Sequence, residues 1–179
     1  MEKEYYKNGE VQYEGYFIND KKEGNGKYIW ENGEYYIGQW KKGLKNGKGT
    51  LYYQNGNIQY EGDWINNKKE GNGKYIWEDG EYYKGEWKNG SINGKGTLYY
   101  SNGNIQYEGD FINGEFEGNG KYIFEDGEYF IGQWKNDLRN GKGIQYYSNG
   151  NIQYKGDFVN DKKDGIGHFI YEDGKYYIG

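Results

Sequence analysis

The chain has 179 residues, a formal net charge of −5, 21% aromatic residues and 33 Gly, with no Pro and no Cys. Leu, Ile, Val and Phe make up about 16% of it, under the roughly 20% at which a highly charged chain stays disordered. Without Cys there is no disulfide framework, no thiol nucleophile and no Cys-based zinc site. The one His, His168, cannot build a His-rich metal site, and the Gly-interrupted sequence holds no apolar run approaching the roughly 20 residues of a transmembrane helix.

In chain order, Met1 to Tyr5 holds no apolar run and does not read as a signal peptide. A partial hairpin is expected over residues 4–13, turning at Asn8-Gly9. From Tyr13 onward the motif Tyr-x-Gly-x-Trp/Phe recurs: Tyr13 to Phe17, Tyr36 to Trp40, Tyr60 to Trp64, Tyr83 to Trp87, Tyr107 to Phe111, Phe130 to Trp134, Tyr154 to Phe158, and a cut-off Tyr177-Ile178-Gly179. A Gly-x-Gly pair keeps the same beat, from Gly24/Gly26 to Gly165/Gly167. Units of 23 and 24 residues alternate, so residues 1–179 read as a single array of seven repeats after the partial hairpin, the last unit truncated.

Each unit reads as a β-hairpin, because Asn-Gly or Asp-Gly between alternating aromatic runs tolerates φ > 0. In the shorter units a three-residue loop, Glu31-Asn32-Gly33, is expected to pair Trp30 with Glu34 and Tyr28 with Tyr36. In the longer units a two-residue Asn55-Gly56 turn is expected to pair Tyr53 with Ile58 and Leu51 with Tyr60. The length difference would keep side chains facing one way, since a one-residue slip turns a strand over. One face then carries Tyr28, Trp30, Tyr36, Trp40, Leu51, Tyr53, Ile58, Tyr60 and Trp64 as the expected core. Glycines between the paired aromatics leave room for rings over the backbone. The segments between hairpins, such as Asn19 to Glu23, read as charged loops, and each Gly-x-Gly reads as a strand entry.

These residues, Tyr-Glu-Gly-Asp-Trp followed by Gly-x-Gly-x-Tyr, with Trp87-Lys88-Asn89-Gly90 and Gly94-Lys95-Gly96 as a clear instance, resemble the MORN repeat. The resemblance covers nearly the whole chain. It implies an all-β fold, an elongated single-layer antiparallel sheet of consecutive hairpins. It also implies a non-enzymatic scaffold role in cytoskeletal, ciliary or membrane-associated assemblies, in the cytoplasm. A weaker likeness, in Trp-Tyr-Tyr and Asn-Gly content, is to choline-binding hairpin repeats, which would imply a choline- or carbohydrate-binding surface.

Site chemistry is scarce. Ser and Thr number five together, too few with one His for a nucleophilic triad. His168 stands where other units carry Lys27, Lys74 and Lys121 and reads as an exposed strand residue; Glu31, Glu78, Glu125 and Glu172 read as solvated turn residues. No catalytic residue, cofactor or metal is expected. The acidic balance and the lone Arg139 oppose nucleic-acid binding. The second sheet face would expose Tyr35, Tyr52, Tyr82, Tyr99, Tyr129 and Tyr146 with several isoleucines. A stripe of that extent marks a surface for a protein partner, an extended or helical segment. The pairs Lys21-Lys22, Lys68-Lys69 and Lys162-Lys163 recur every 47 residues and would suit anionic lipid or an acidic partner. The edge of the final strand invites edge-to-edge pairing with a second copy.

Overall fold

The computed structural model describes all 179 residues. Its strands are β1 (Glu2–Tyr5), β2 (Val11–Ile18), β3 (Lys21–Ile29), β4 (Tyr35–Lys41), β5 (Leu44–Tyr52), β6 (Ile58–Ile65), β7 (Lys68–Ile76) and β8 (Tyr82–Lys88), then β9 (Ser91–Tyr99), β10 (Ile105–Ile112), β11 (Glu115–Ile123), β12 (Tyr129–Lys135), β13 (Leu138–Tyr146), β14 (Ile152–Val159), β15 (Lys162–Ile170) and β16 (Tyr176–Ile178). They form one sixteen-stranded antiparallel sheet of consecutive hairpins, neighbours following chain order, with no helix. Two compact units divide the chain, Met1–Ser91 and Ile92–Gly179.

Two kinds of turn alternate. At Asn19-Asp20, Asn66-Asn67, Asn136-Asp137 and Asn160-Asp161 both residues have positive φ, as they do at Lys42-Gly43, Asn89-Gly90 and Asn113-Gly114. These are two-residue turns whose twist matches that of the strands. The segments expected as charged loops are therefore strand: β3 starts at Lys21, immediately after such a turn, and Lys68 and Lys162 start β7 and β15. The Gly-x-Gly pairs consequently lie inside strands rather than at their entries. Two extra residues of β3 bulge between the pairs Tyr16–Glu23 and Gly15–Gly26. Gly24, at φ 68°, supplies the left-handed residue that this bulge requires.

The other turns are all three-residue loops. In the 23-residue units the Trp30 amide donates to the Glu34 carbonyl and the Gly33 amide to the Trp30 carbonyl, and Tyr28 pairs with Tyr36, as the spacing predicts. The 24-residue units use the same loop, against expectation. The Tyr53 amide donates to Asn57 and the Gly56 amide to Tyr53. Ile58 pairs with Tyr52 on the outer face, not with Tyr53 in the core. Only Gly56 takes positive φ there, while Asn55 does not; a two-residue turn would need both. The additional residue, Gln59, sits as a bulge before the pair Leu51–Tyr60. Its counterparts point to the core side: Gln12 Nε2 donates to the Tyr28 hydroxyl at 3.1 Å and Gln106 Nε2 to the Tyr122 hydroxyl at 3.3 Å.

The core occupies one face, here called the inner face. In the first unit a row of glycines crosses the strands, Gly15–Gly26–Gly38–Gly49–Gly62–Gly73–Gly85. A methyl group on Gly15 or Gly26 would overlap the Tyr13 ring; one on Gly38 or Gly49 would overlap Tyr36, and one on Gly62 or Gly73 would overlap Tyr60. Each ring thus lies flat over two bare backbones. The tyrosine hydroxyl then donates to the carbonyl three residues on, Tyr36 to Gln39 and Tyr60 to Asp63, both at 3.1 Å. Trp40 Nε1 donates to the Gly26 carbonyl at 3.3 Å, and Trp64 Nε1 to that of Gly49 at 3.1 Å. Edge-to-face contacts join the rings in sequence: Tyr13–Trp40 at 5.4 Å, Tyr36–Trp40 at 5.3 Å, Tyr36–Trp64 at 5.4 Å, Tyr60–Trp64 at 5.1 Å and Tyr60–Trp87 at 5.2 Å. Tyr13, Tyr36, Tyr60 and Tyr83 are fully buried. Burying such a ring contributes about 1.5–3 kcal/mol, so aromatics supply what the missing aliphatics would otherwise provide.

The second unit repeats this with more Phe. Phe130 lies over Gly132 and Gly143, and Tyr107 over Gly109 and Gly120. Phe116 stacks on Tyr107 at 3.8 Å, and Phe130 meets Phe158 edge-on at 5.0 Å. Gln145, in the place of Leu51, accepts a bond from Arg139 at 3.5 Å and donates to Glu128 at 3.3 Å.

Candidate functional site

Two surfaces carry side chains that a partner or ligand would meet. On the outer face of the first unit, Tyr35 and Tyr52 stand cross-strand and stack at 4.5 Å with planes 11° apart. Lys27 Nζ sits 4.4 Å from the Tyr35 ring centre, and Lys74 Nζ 4.5 Å from that of Tyr82. Beyond these tyrosines runs a mixed row, Ile37–Thr50–Glu61–Lys74–Lys84.

In the second unit Tyr129 and Tyr146 stack in the same way, at 4.5 Å and 10°, with Lys121 Nζ 4.5 Å over Tyr129. Tyr99 pairs with Ile105. All six outer tyrosines are half-buried. The adjacent row differs from that of the first unit: Lys121–Ile131–Ile144–Lys155–His168–Ile178. Here Ile144 stands where the first unit has Thr50, Ile166 where it has Asn25 and Asn72, and His168 where it has Lys27 and Lys74. Ile131, Ile144, Ile152, Ile166 and Ile170 line a concavity of about 590 Å³ with His168, Lys142, Lys155 and Asp157 at its sides. Ile131 is 43% exposed and Ile166 77%.

The second surface is the inner face, and it separates the paired lysines. Lys21, Lys68 and Lys162 are exposed, while Lys22, Lys69 and Lys163 fold over the rings. Lys69 Nζ lies 4.1 Å from the Tyr75 ring centre, 4.8 Å from Trp87 and 5.1 Å from Tyr60. Lys163 Nζ lies 4.5 Å from Phe169 and 4.7 Å from Tyr154. Lys22 does the same over Tyr13 and also meets Glu4 at 2.6 Å. The glutamates that follow these lysines hold turns instead of neutralising them: Glu23 Oε2 accepts from the Lys42 amide and Glu70 Oε2 from the Asn89 amide, both at 2.8 Å.

Sequence reasoning missed the interleaved position, occupied by Lys45, Ile92 and Arg139. Lys45 Nζ lies 4.2 Å from the Trp64 ring centre, 5.1 Å from Trp30 and 5.5 Å from Tyr36. Arg139 lies over Phe130 and Phe158 and pairs with Asp161 at 3.0 Å. The available signal was that Lys45 and Arg139 recur at the repeat position of Lys22 and Lys69, directly cross-strand from the motif Trp. Loss of hydration pushes the Lys45 amine down to about 8. Lys69 is likewise held at about 8, first by burial and then by the positive charge of Lys45.

This sheet, with its ring-over-glycine hairpins in phase, agrees with the family comparison. The MORN repeat model matches residues 13–35, 36–58, 60–82, 83–105, 107–129, 130–152 and 154–176. The chain belongs to the MORN repeat family. No curated protein sequence matches it.

Proposed function

We propose that this chain is a non-enzymatic scaffold or adaptor that holds an extended or helical segment of a protein partner against its outer face. The supporting observation is the isoleucine-lined concavity beside the Tyr129–Tyr146 stack. Two positions that are polar in the first unit become Ile144 and Ile166 here, and no second layer of the sheet protein covers them. Large apolar surface left open on a folded protein marks an interaction site, and stacked tyrosines add rigid contact area with little entropy to lose. A cytoskeletal or ciliary setting in the cytoplasm is part of the proposal and rests on family membership alone.

Restoring the first unit's residues, Ile144→Thr with Ile166→Asn, tests it. Affinity capture from native cells, compared between parent and variant, should lose specific partners while β circular dichroism and the urea midpoint stay unchanged. Equal capture by both would remove the outer face from the proposal. An anionic-lipid role has less support, since each lysine pair is split between two faces. Co-sedimentation with phosphatidylserine vesicles at two salt concentrations decides it. A choline site is disfavoured because the inner ring clusters already hold Lys45 and Lys69.

A further inference from the structure

The geometry points to a carboxylate-binding site on the inner face of the first unit, in which Lys45 and Lys69 receive the acidic side chains of a polypeptide segment. Each ammonium is fixed by three aromatic rings, and neither has an ion-pair partner, unlike Lys22. The faces of Trp and Tyr orient a cation but do not neutralise it, so each amine keeps donors free for an incoming oxygen.

The chain itself shows what fits. At the equivalent position in the first hairpin, the Glu4 carboxylate sits on Lys22 at 2.6 Å while Lys22 remains over Tyr13, Tyr28 and Phe17. Glu4 pairs cross-strand with Tyr13. In the next 47-residue period Leu51 takes that place, paired with Tyr60, so Lys69 has the rings and lacks the acid. Lys45 has Tyr28 at the corresponding position, paired with Tyr36. The partner that fits is thus a peptide carboxylate presented from a chain lying across the rings, which is the arrangement β1 already makes. A charge-assisted N–H···O bond to a partly desolvated ammonium is stronger than its solvated equivalent.

The test uses the full chain and a hexaglutamate peptide, followed by tryptophan fluorescence and calorimetry at pH 7 and low salt. Saturable binding is expected, with proton uptake at pH 8, and hexaglutamine should not bind. Lys45→Met with Lys69→Met, which keeps the apolar stems over the rings, should weaken hexaglutamate binding at least tenfold. Leu51→Glu should weaken it too, by supplying Lys69 with an internal acid as Glu4 supplies Lys22. If the double variant misfolds by near-UV circular dichroism, Leu51→Glu alone decides. No binding to the parent protein overturns the inference, as does undiminished binding to Leu51→Glu. So does equal displacement by inorganic phosphate, or pelleting with phosphatidylserine vesicles through these two lysines without peptide binding.

Discussion

Tyr60 shows how a single residue carries this fold. Its ring covers Gly62 and Gly73, its hydroxyl closes on the Asp63 carbonyl, and Trp64 and Trp87 meet its edges. The two contributions can be separated. Tyr60→Phe removes one hydrogen bond, and Phe130 already fills the equivalent place in the second unit, so a loss of about 1 kcal/mol is expected. Gly62→Ala places a methyl group 2.7 Å from the Asn72 carbonyl oxygen and the Gly73 Cα as well as into the ring. Backbone cannot move aside as a side chain can, and a loss of about 3 kcal/mol or more is expected. Urea unfolding of the two variants measures both; equal effects would show that the ring does not lie over the glycine.

At the scale of the hairpin, the alternation of 23 and 24 residues comes from one bulged glutamine. Deleting Gln59 converts the pairing Tyr52–Ile58, Leu51–Tyr60 into the register that Ile29–Tyr35 and Tyr28–Tyr36 already use. The variant should therefore fold with every side chain on its original face and with a urea midpoint close to the parent's. Cross-strand nuclear Overhauser effects between Tyr52 and Ile58 would report the register; their loss would contradict the shared loop. This is also where sequence reading failed. Asn55-Gly56 resembles a two-residue turn, yet the same letters serve a three-residue loop in which Gly alone takes positive φ. The tight turns before Lys21-Lys22 and Lys68-Lys69, at Asn19-Asp20 and Asn66-Asn67, lack the Asn-Gly signature, so the letters alone place these lysines in a loop. Once each lysine pair begins a strand, alternation sends one outward and one over the rings. That alternation could not be read while the segment was taken as loop. The ring-and-glycine core, by contrast, was legible from the spacing of Tyr13, Gly15 and Phe17 alone.

For the molecule as a whole, the inner face sets a pH profile of stability. Lys45 and Lys69 titrate near 8 in the fold, against an ordinary 10.5. Between those values the unfolded chain holds more protons, so stability rises with pH. Burial raises the tyrosines: Tyr13 to about 12 from 10.0, and Tyr36, Tyr60, Tyr83 and Tyr107 further. Above pH 10 the unfolded chain releases phenolic protons that the fold retains, so stability falls from there upward. The urea midpoint should climb modestly above pH 8, peak at about pH 10 and then drop steeply. Absorbance at the phenolate band should show the buried tyrosines ionising only as β circular dichroism disappears. Titration of all 24 tyrosines near pH 10 with the sheet intact would mean the rings are open to water.

The ladder of rings has an optical consequence. In the first unit the phenols of Tyr13, Tyr36 and Tyr60 touch indoles at 5.1–5.4 Å, close enough for light absorbed by tyrosine to be emitted by tryptophan. That unit holds Trp30, Trp40, Trp64, Trp77 and Trp87, while the second holds only Trp134. Tyr154 has Phe158 against its ring, 5.2 Å away. Opening of the first unit therefore shifts emission from indole toward phenol, whereas the far strands of the second keep a phenolic colour throughout. The unlabelled protein carries its own two-channel reporter of which half has come apart.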